Sequence, residues 1–368
     1  MSANAIAGFR LSQQQERVWT QWQANPAAHF GAQCVVMVEG LLDLAKLRVS
    51  AAKLVARHEI LRTSFQRQSG LKLPFQVIRE AGSAHWDDID FRYHPASSQQ
   101  EKLEEVFQET AGRNVDFEQG PGLRVVVAAL AKDRHAVILS VPALCGDARS
   151  LGNIVDELWS VYNGQEPEAD VMQYADYVEW QHELLNGEEA KAGQQFWREY
   201  GRKLNLGSCL PLALPDNKSG DTTFGFVTAQ VGTEVMQRLT SSDVGNVLLT
   251  CWNMLLWRLT GEAERVVACE FDGRKYEELE SAVGPFSRYL PLRTTLDAGE
   301  SFVTALAKTS AGAAEAHNWQ DSFTWSNLTA DGDAELTCGF DFAELPAADR
   351  KSTRLNPVTV KSRMPSSA

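Results

Sequence analysis

Residues 138–162, ILSVPALCGDARSLGNIVDELWSVY, constrain the fold of this chain more than any other stretch. An apolar run of strand length ends at Pro142, and a short turn then contains a single acid, Asp147. After the turn, apolar residues recur at helical spacing on one face: Leu151, Ile154, Val155, Leu158 and Tyr162. A buried strand that runs through a turn into an amphipathic helix is typical of α/β proteins. We therefore predict an α/β fold.

The same alternation of strands and helices extends along the 368 residues, which is enough chain for two lobes. Ser12 is a predicted N-cap of the first helix. A stretch rich in Pro, Gly, Asp and Asn, residues 206–222, suggests a connector. Residues 350–368 contain five basic residues and no acid, so they resemble a disordered or non-native tail. The predicted divisions are an N-terminal lobe at 1–185, a helix and inter-lobe connector at 186–222, a C-terminal lobe at 223–349 and the tail at 350–368.

Composition excludes several functional classes. A net charge of −13 argues against wide contact with nucleic acid. The most apolar stretch, residues 244–259, contains Asn246 and Asn253 and is too short to span a bilayer, so we predict a buried helix. The N-terminus lacks the pattern of a signal peptide, which favours a cytoplasmic protein. The six cysteines show neither CxxC pairs nor zinc-ligand spacing, which predicts reduced thiols and no metal site.

Five motifs occur in an order that is specific to one family. They are LSQQQERVW (11–19), RHEILRTSF (57–65), YADYVEWQ (174–181), the run LLWRLTGEAERVVACEFDGRKYEELESAVGPFSRYLPLR (255–293) and AHNWQDSF (316–323). In this order they resemble the condensation domain of nonribosomal peptide synthetases, within the chloramphenicol acetyltransferase-like superfamily. The resemblance extends to about Pro346.

The resemblance implies two chloramphenicol acetyltransferase-like lobes in a V-shaped arrangement with a channel between them. The family's closing strands have no counterpart after residue 346, so we expect an incomplete C-terminal lobe. In active members, an acceptor amine attacks a carrier-bound thioester beside an H-H-x-x-x-D-G loop. The second histidine of that loop has an acid/base or positioning role, which suits an imidazole.

This chain has an altered version of that loop. With Asp147 and Ser150 as anchors, H-H-x-x-x-D-G corresponds to Pro142, Ala143, Leu144, Cys145, Gly146, Asp147 and Ala148. Proline and alanine replace both histidines and cannot transfer protons. We interpret Cys145 as a small buried thiol, since nothing near it in sequence would lower its pKa. The sequence therefore predicts no catalytic residue.

The structural part of the motif is retained. In the family, the loop aspartate pairs with the arginine of H-E-x-L-R-T, so the resemblance implies an Asp147–Arg62 salt bridge. Further candidates for the channel are His58, Ser150, Arg288 and His317. For His58, Arg288 and His317 we favour a structural or surface role.

The resulting hypothesis is a non-catalytic, condensation-like domain that docks a carrier domain and a tailoring enzyme such as a hydroxylase. Two alternatives remain: a slow, histidine-independent condensation that relies on positioning, and a decayed fragment. We expect no cofactor of its own and contact with the phosphopantetheine arms of peptidyl carrier domains. The other expected partners are an adjacent adenylation domain and an oxygenase, with neither nucleic acid nor membrane.

Overall fold

The computed structural model describes residues 8–24, 31–112, 116–120, 122–167, 170–205, 243–328 and 338–342, a few residues between 227 and 239, Leu336, and the backbone of 355–363. Residues 206–222 of the predicted segment 186–222 lie outside this part of the chain. The fold divides into two compact units. The first comprises 1–187, 272–287 and 344–365, and the second comprises 188–271, 288–343 and 366–368.

The boundaries of these units differ from the predicted lobes in one respect that matters for the site. We assigned residues 272–287 to the C-terminal lobe, but they pack with the first unit. Their buried side chains Leu279, Ala282, Val283 and Phe286 join the main apolar cluster of that unit. A segment that follows the strand 264–271 in sequence therefore completes the core of the other unit.

The first unit contains five helices and a five-stranded sheet within the described residues. Its helices are α1 (Gln13–Ala24), α2 (Leu44–Arg57), α3 (Ala96–Gly112), α4 (Ala148–Tyr162) and α5 (Tyr174–Asn186). Its strands are β1 (Gly31–Glu39), β2 (Thr63–Gln66), β3 (Phe75–Ile78), β4 (His85–Asp90), β5 (Arg124–Ala131), β6 (Arg134–Pro142) and β10 (Leu355–Arg363). The sheet order is β10-β1-β6-β5-β4, with β4 and β5 parallel and the other pairs antiparallel, while β2 and β3 form a separate antiparallel pair.

Strand β6 is apolar on both faces because both faces of the sheet are covered. Val137, Leu139 and Val141 belong to the cluster that contains the buried residues of α2 and α4. Ala136 and Ile138 belong to a second cluster that includes buried residues of α3. Since alternate side chains of a strand point to opposite faces, this arrangement explains the continuous apolar run that precedes the loop.

The second unit contains three helices of more than one turn and a three-stranded sheet within the described residues. The helices are α6 (Ala190–Gly201), α7 (Val244–Thr260) and α8 (Phe302–Trp319), followed by the single turn α9 (Trp325–Leu328). Strands β7 (Glu264–Phe271), β8 (Arg288–Thr295) and β9 (Gly339–Phe340) are arranged in the order β8-β7-β9. Helix α7 covers the stretch that was predicted as a buried helix, but it is buried on one face only. Leu249 and Leu256 lie in the core of this unit, whereas Leu255 and Leu259 are exposed. Both units combine helices with sheet, so the predicted α/β class is confirmed.

Residues 350–368 were expected to be a disordered or non-native tail, and part of this segment forms a strand. The backbone of Leu355–Arg363 forms β10, which pairs antiparallel with β1 at the edge of the five-stranded sheet. Backbone hydrogen bonding requires no apolar periodicity, which explains why the sequence pattern failed to indicate this strand. No helix in the described part of the chain is long and apolar enough to cross a membrane.

Candidate functional site

The loop between β6 and α4 is a compact turn fixed by backbone hydrogen bonds. The Pro142 carbonyl oxygen accepts from the Cys145 N–H at 2.8 Å and from the Gly146 N–H at 3.1 Å. The Leu144 carbonyl oxygen accepts from Gln15 Nε2 at 2.9 Å. Pro142 is buried and Ala143 is half-buried. Pro142 and Ala143, which the resemblance aligns with the family's two histidines, are thus aliphatic residues on a turn that hydrogen bonds fix.

Asp147 follows this turn and caps helix α4. Its Oδ1 accepts from the backbone N–H of Ser150 at 2.7 Å, an N-cap interaction that satisfies one of the free donors at a helix start. Its Oδ2 accepts from the backbone N–H groups of Phe286 and Ser287 at 2.8 and 2.9 Å. One carboxylate thus fixes the start of α4 and the chain at 286–287.

The charge of Asp147 is balanced by Arg274. Arg274 donates from Nη1 to Oδ2 and from Nη2 to Oδ1, each at 3.0 Å, which is a bidentate pair. The Arg274 side chain is 1% exposed and that of Asp147 is 8% exposed. The guanidinium lies over the Phe286 ring, 4.3 Å from its centroid, and also bonds Asp272 Oδ1 at 3.1 Å.

The implied Asp147–Arg62 salt bridge is therefore wrong. Arg62 contacts Glu59 Oε1 at 3.1 Å through Nη2 and donates to the carbonyl oxygen of Arg79 through Nη1. Arg62 ends a short 3₁₀ turn at Glu59–Arg62, so its nearest acid is three residues away on the same turn. Arg274, in contrast, follows β7 on the segment that packs into the first unit, where its fork faces the carboxylate.

Ser150 connects the same two segments from the helix side. Its Oγ donates to the carbonyl oxygen of Gly284 at 2.7 Å and accepts from the Gly284 N–H at 3.0 Å. Arg274 Nη2 also donates to Ser150 Oγ at 2.7 Å. Every one of these contacts attaches the loop to residues 272–287, so the geometry of Ser150 favours an architectural role over a catalytic one.

The electrostatic state of the pair follows from this geometry. Burial opposes ionisation of Asp147, but the nearby Arg274 charge and the hydrogen bonds from Arg274 and Ser150 outweigh it and hold the pKa of Asp147 below its ordinary value. Asp147 is thus a permanently ionised acceptor near neutral pH. It cannot serve as a general acid, and its lone pairs are occupied by donors.

Cys145 is buried, and desolvation raises the pKa of its thiol to about 12. The exposed Cys251 on α7 is a matched reference within the same chain. We expect iodoacetamide at pH 8 to alkylate Cys145 on the order of 10³-fold more slowly than Cys251, because only the thiolate reacts. Peptide mass spectrometry over a time course measures both rates. Comparable rates in the folded chain would contradict a structural Cys145.

His58 lies at the end of α2, away from the loop contacts. Its backbone N–H bonds to the Leu54 carbonyl oxygen, and its Nε2 lies 2.7 Å from Glu157 Oε2 on α4. Glu157 also pairs with Arg57 at 3.1 Å. His58 is buried, and these contacts connect α2 to the C-terminal half of α4.

The other two candidates belong to the second unit. Arg288 begins β8 and is buried, donating from Nη1 to the Gln320 carbonyl oxygen at 2.5 Å, with Nη2 3.4 Å from Asp321 Oδ1. His317 is exposed in the last turn of α8, with its ring 6.4 Å from that of Phe271. Of the predicted site residues, Asp147 and Ser150 contact each other, and the contacts described above for Arg288 and His317 lie within the second unit.

Sequence reasoning missed Arg274, which attaches the loop together with Gly284. Its weak sequence signal is the run Asp272-Gly273-Arg274 directly after β7. Gly284 lies in the tight turn that the resemblance implies as an architectural element. A Cβ at Gly284 would lie 2.0 Å from Tyr174 Cδ2, so the site needs a residue without a side chain. In the described part of the chain, no group of three or more His, Cys, Asp or Glu side chains is placed to hold a metal ion.

Comparison with known proteins places this geometry in context. A family model described as Condensation domain matches residues 8–330. Tyrocidine synthase 3 of Brevibacillus parabrevis is 27% identical over 325 residues, which is 85% of this chain and 5% of the synthase. The chain spans between 4% and 9% of the length of such curated relatives.

Solved structures show the same fold. The first condensation domain of the calcium-dependent antibiotic synthetase, in complex with a substrate analogue, superposes with a TM-score of 0.79 at 18% identity, covering 97% of this chain and 85% of that one. The X-domain from teicoplanin biosynthesis superposes with a TM-score of 0.72 at 21% identity, covering 99% and 84%. That X-domain has also been solved in a complex with OxyB, with a TM-score of 0.69 at 20% identity, covering 100% and 83%.

Proposed function

Because this chain belongs to the condensation-domain family of nonribosomal peptide synthetases, we propose that it is a non-catalytic member of that family. In this proposal it acts as a docking platform for a carrier domain and a tailoring enzyme such as a hydroxylase. The observation that carries the proposal is the side chain at position 143, where the family's second histidine is replaced by alanine.

The remaining loop residues offer no substitute for that histidine. A general base must hold a pKa near the working pH and have a free lone pair. The carboxylate of Asp147 accepts from Ser150, Phe286, Ser287 and Arg274. The thiol of Cys145 is buried and its pKa is raised to about 12. These features support a loop that is maintained for its shape alone.

Retention of the loop's framework also supports a role as a binding surface. Asp147, Ser150 and Arg274 make contacts that keep residues 272–287 attached to α4. The likeness in fold favours neither a catalyst nor a platform, since a condensation domain in complex with a substrate analogue and an X-domain both superpose on this chain. The X-domain, whose complex with OxyB has been solved, supplies a precedent for a docked partner. On this view the phosphopantetheine arm of a carrier domain is a ligand of the domain, and the domain has no cofactor of its own.

The test uses the domain within its complete native synthetase, with the flanking carrier domains loaded with donor and acceptor. Intact-mass spectrometry follows acyl transfer from donor to acceptor over minutes. We expect no transfer above a control that lacks the domain, because a general base is usually worth about 10²–10⁴-fold in rate. A histidine-bearing condensation domain, loaded in parallel, is the positive control.

Transfer above the control would contradict the proposal and identify a slow condensation catalyst that depends on positioning. An Ala143→His variant adds a second readout. A large gain in transfer would show that both arms still reach the loop in reactive geometry, whereas a loop kept only for its shape predicts no gain. Capture of the tailoring enzyme by the native synthetase, absent with the domain deleted, then tests the platform role directly.

A further inference from the structure

Two aromatic side chains of the first unit contact each other at its surface. Trp180, on α5, is 38% exposed, and Tyr276, on the segment 272–287, is 45% exposed. Their ring centroids lie 5.4 Å apart at an interplanar angle of 89°, an edge-to-face contact. Trp and Tyr are enriched among the residues that dominate protein interfaces. A paired and partly exposed set is therefore a candidate contact surface.

The pair rests on the core, which limits its mobility. Trp180 contacts the buried Tyr177 at a centroid distance of 5.9 Å, and Tyr177 packs on the buried Phe286 at 4.7 Å. Phe286 in turn carries the Arg274 guanidinium over its ring. A pre-ordered aromatic pair loses little conformational entropy when a partner binds.

Carboxylates flank both rings. Asp176 and Glu183 are exposed and lie about one helical turn before and after Trp180 on α5, which contains no Lys or Arg. Glu277 and Glu278 follow Tyr276 directly and are also exposed. The flanking charges thus favour a basic partner surface.

Two cations adjoin these groups, Arg10 and Lys275. Arg10 is engaged with Glu179 at 3.0 Å, and Lys275 precedes Tyr276 in the sequence. We propose that Trp180, Tyr276 and the carboxylates of Asp176, Glu183, Glu277 and Glu278, together called the Trp180 surface, bind a protein through its Lys and Arg side chains. Guanidinium groups would stack on the rings and pair with the carboxylates.

This inference rests on the proposed function and deepens it, because it assigns the tailoring enzyme to a defined surface and predicts a basic contact region on that enzyme. The probe is p-benzoylphenylalanine, a photo-crosslinking amino acid, placed at position 276 of the complete synthetase in its native host. The same substitution at Tyr93, which is 88% exposed and lies outside the Trp180 surface, is the control. We expect one discrete crosslinked product with a separate polypeptide from position 276 and none from position 93.

The second part of the experiment reverses two charges of the Trp180 surface. Glu277→Lys with Glu278→Lys, in the synthetase that carries the probe at 276, is expected to reduce the crosslinked product about 5- to 10-fold. Glu101→Lys with Glu105→Lys on the exposed face of α3 changes the net charge equally and should leave the yield unchanged. Mass spectrometry of the crosslinked peptide should identify a segment that contains Lys or Arg.

The inference is overturned by the absence of a product from 276, by equal products from 276 and 93, or by an acidic target peptide. A crosslink within the synthetase itself would also overturn it, because the surface would then be an interface between domains. Acyl transfer measures the proposed function independently. If acyl transfer occurs and the crosslink is specific, the non-catalytic role is wrong but the Trp180 surface still binds a partner. If neither transfer nor a crosslink is seen, only the binding role of the Trp180 surface is wrong.

Discussion

Replacement of Arg274 by alanine should lower the free energy of unfolding by about 3–5 kcal/mol, because it leaves a buried carboxylate without its cation. Asp147 would keep its backbone donors but lose both bonds to the guanidinium. The loss should appear as a lower midpoint in urea denaturation. Hydrogen exchange should also become faster at the amides of Ser150, Phe286 and Ser287, which bond to Asp147. This local readout does not depend on whether the two units unfold together.

Arg62→Ala is the matched control, since Arg62 is the cation that the family resemblance implied. Its loss should cost about 1 kcal/mol, as expected for hydrogen bonds outside the buried pair, and should leave exchange at Phe286 unchanged. An equal or greater effect of Arg62→Ala would contradict the assignment of Arg274.

The pH dependence of the unfolding free energy is an independent test of the Asp147–Arg274 pair. The folded pKa of Asp147 lies below its ordinary value of 3.8, so its contribution to stability is present above that value and decreases as the pH falls through the folded pKa. In the Arg274→Ala variant, protonation of the isolated carboxyl relieves the buried charge. The difference in unfolding free energy between wild type and variant should therefore narrow as the pH falls from 5 to 3. If the difference in unfolding free energy stayed constant over this pH range, the destabilisation by Arg274→Ala would not come from the ionised carboxylate of Asp147.

Gly284→Ala is expected to destabilise the chain by about 1–3 kcal/mol, the usual range for overpacking a filled site. The new Cβ would lie 2.0 Å from Tyr174 Cδ2, and Tyr174 is itself fixed, with its hydroxyl 2.7 Å from Ser12 Oγ and 3.0 Å from the Pro285 carbonyl oxygen. Relief of the clash requires movement of the backbone that bonds Ser150. The urea midpoint measures the loss, and faster exchange at Ser150 would locate it at the loop.

Gly152→Ala on α4 is the control for this substitution. A Cβ at Gly152 meets no heavy atom within 4 Å, and alanine favours a helix interior by about 0.5–1 kcal/mol over glycine. The two substitutions are identical in chemistry and should act in opposite directions. If Gly284→Ala were neutral, the close packing of residues 272–287 against α5 would be contradicted.

Sequence periodicity predicted the elements that depend on local rules. The spacing of apolar residues in 148–162 indicated α4, and Ser12, whose Oγ accepts from the Gln15 N–H, begins α1 as expected for an N-cap. The order of motifs identified the family, because it needs no knowledge of contacts. The prediction that Pro142 and Ala143 stand where the family has histidines likewise came from residue identity in the chain.

Only the tertiary structure decided how the loop is held. Asp147 and Arg274 are 127 positions apart, and Arg62 is an equally plausible cation by charge, so no local pattern distinguishes them. The choice depends on the path of residues 272–287, which return to the first unit after β7. The edge strand β10 was also missed because it depends on a long-range contact. Its backbone pairs with β1, and no apolar pattern in its own sequence indicated a strand. The sequence by itself thus determined most of the element types and the family, because local spacing and residue identity suffice for these, whereas long-range packing selected the partner of the buried charge.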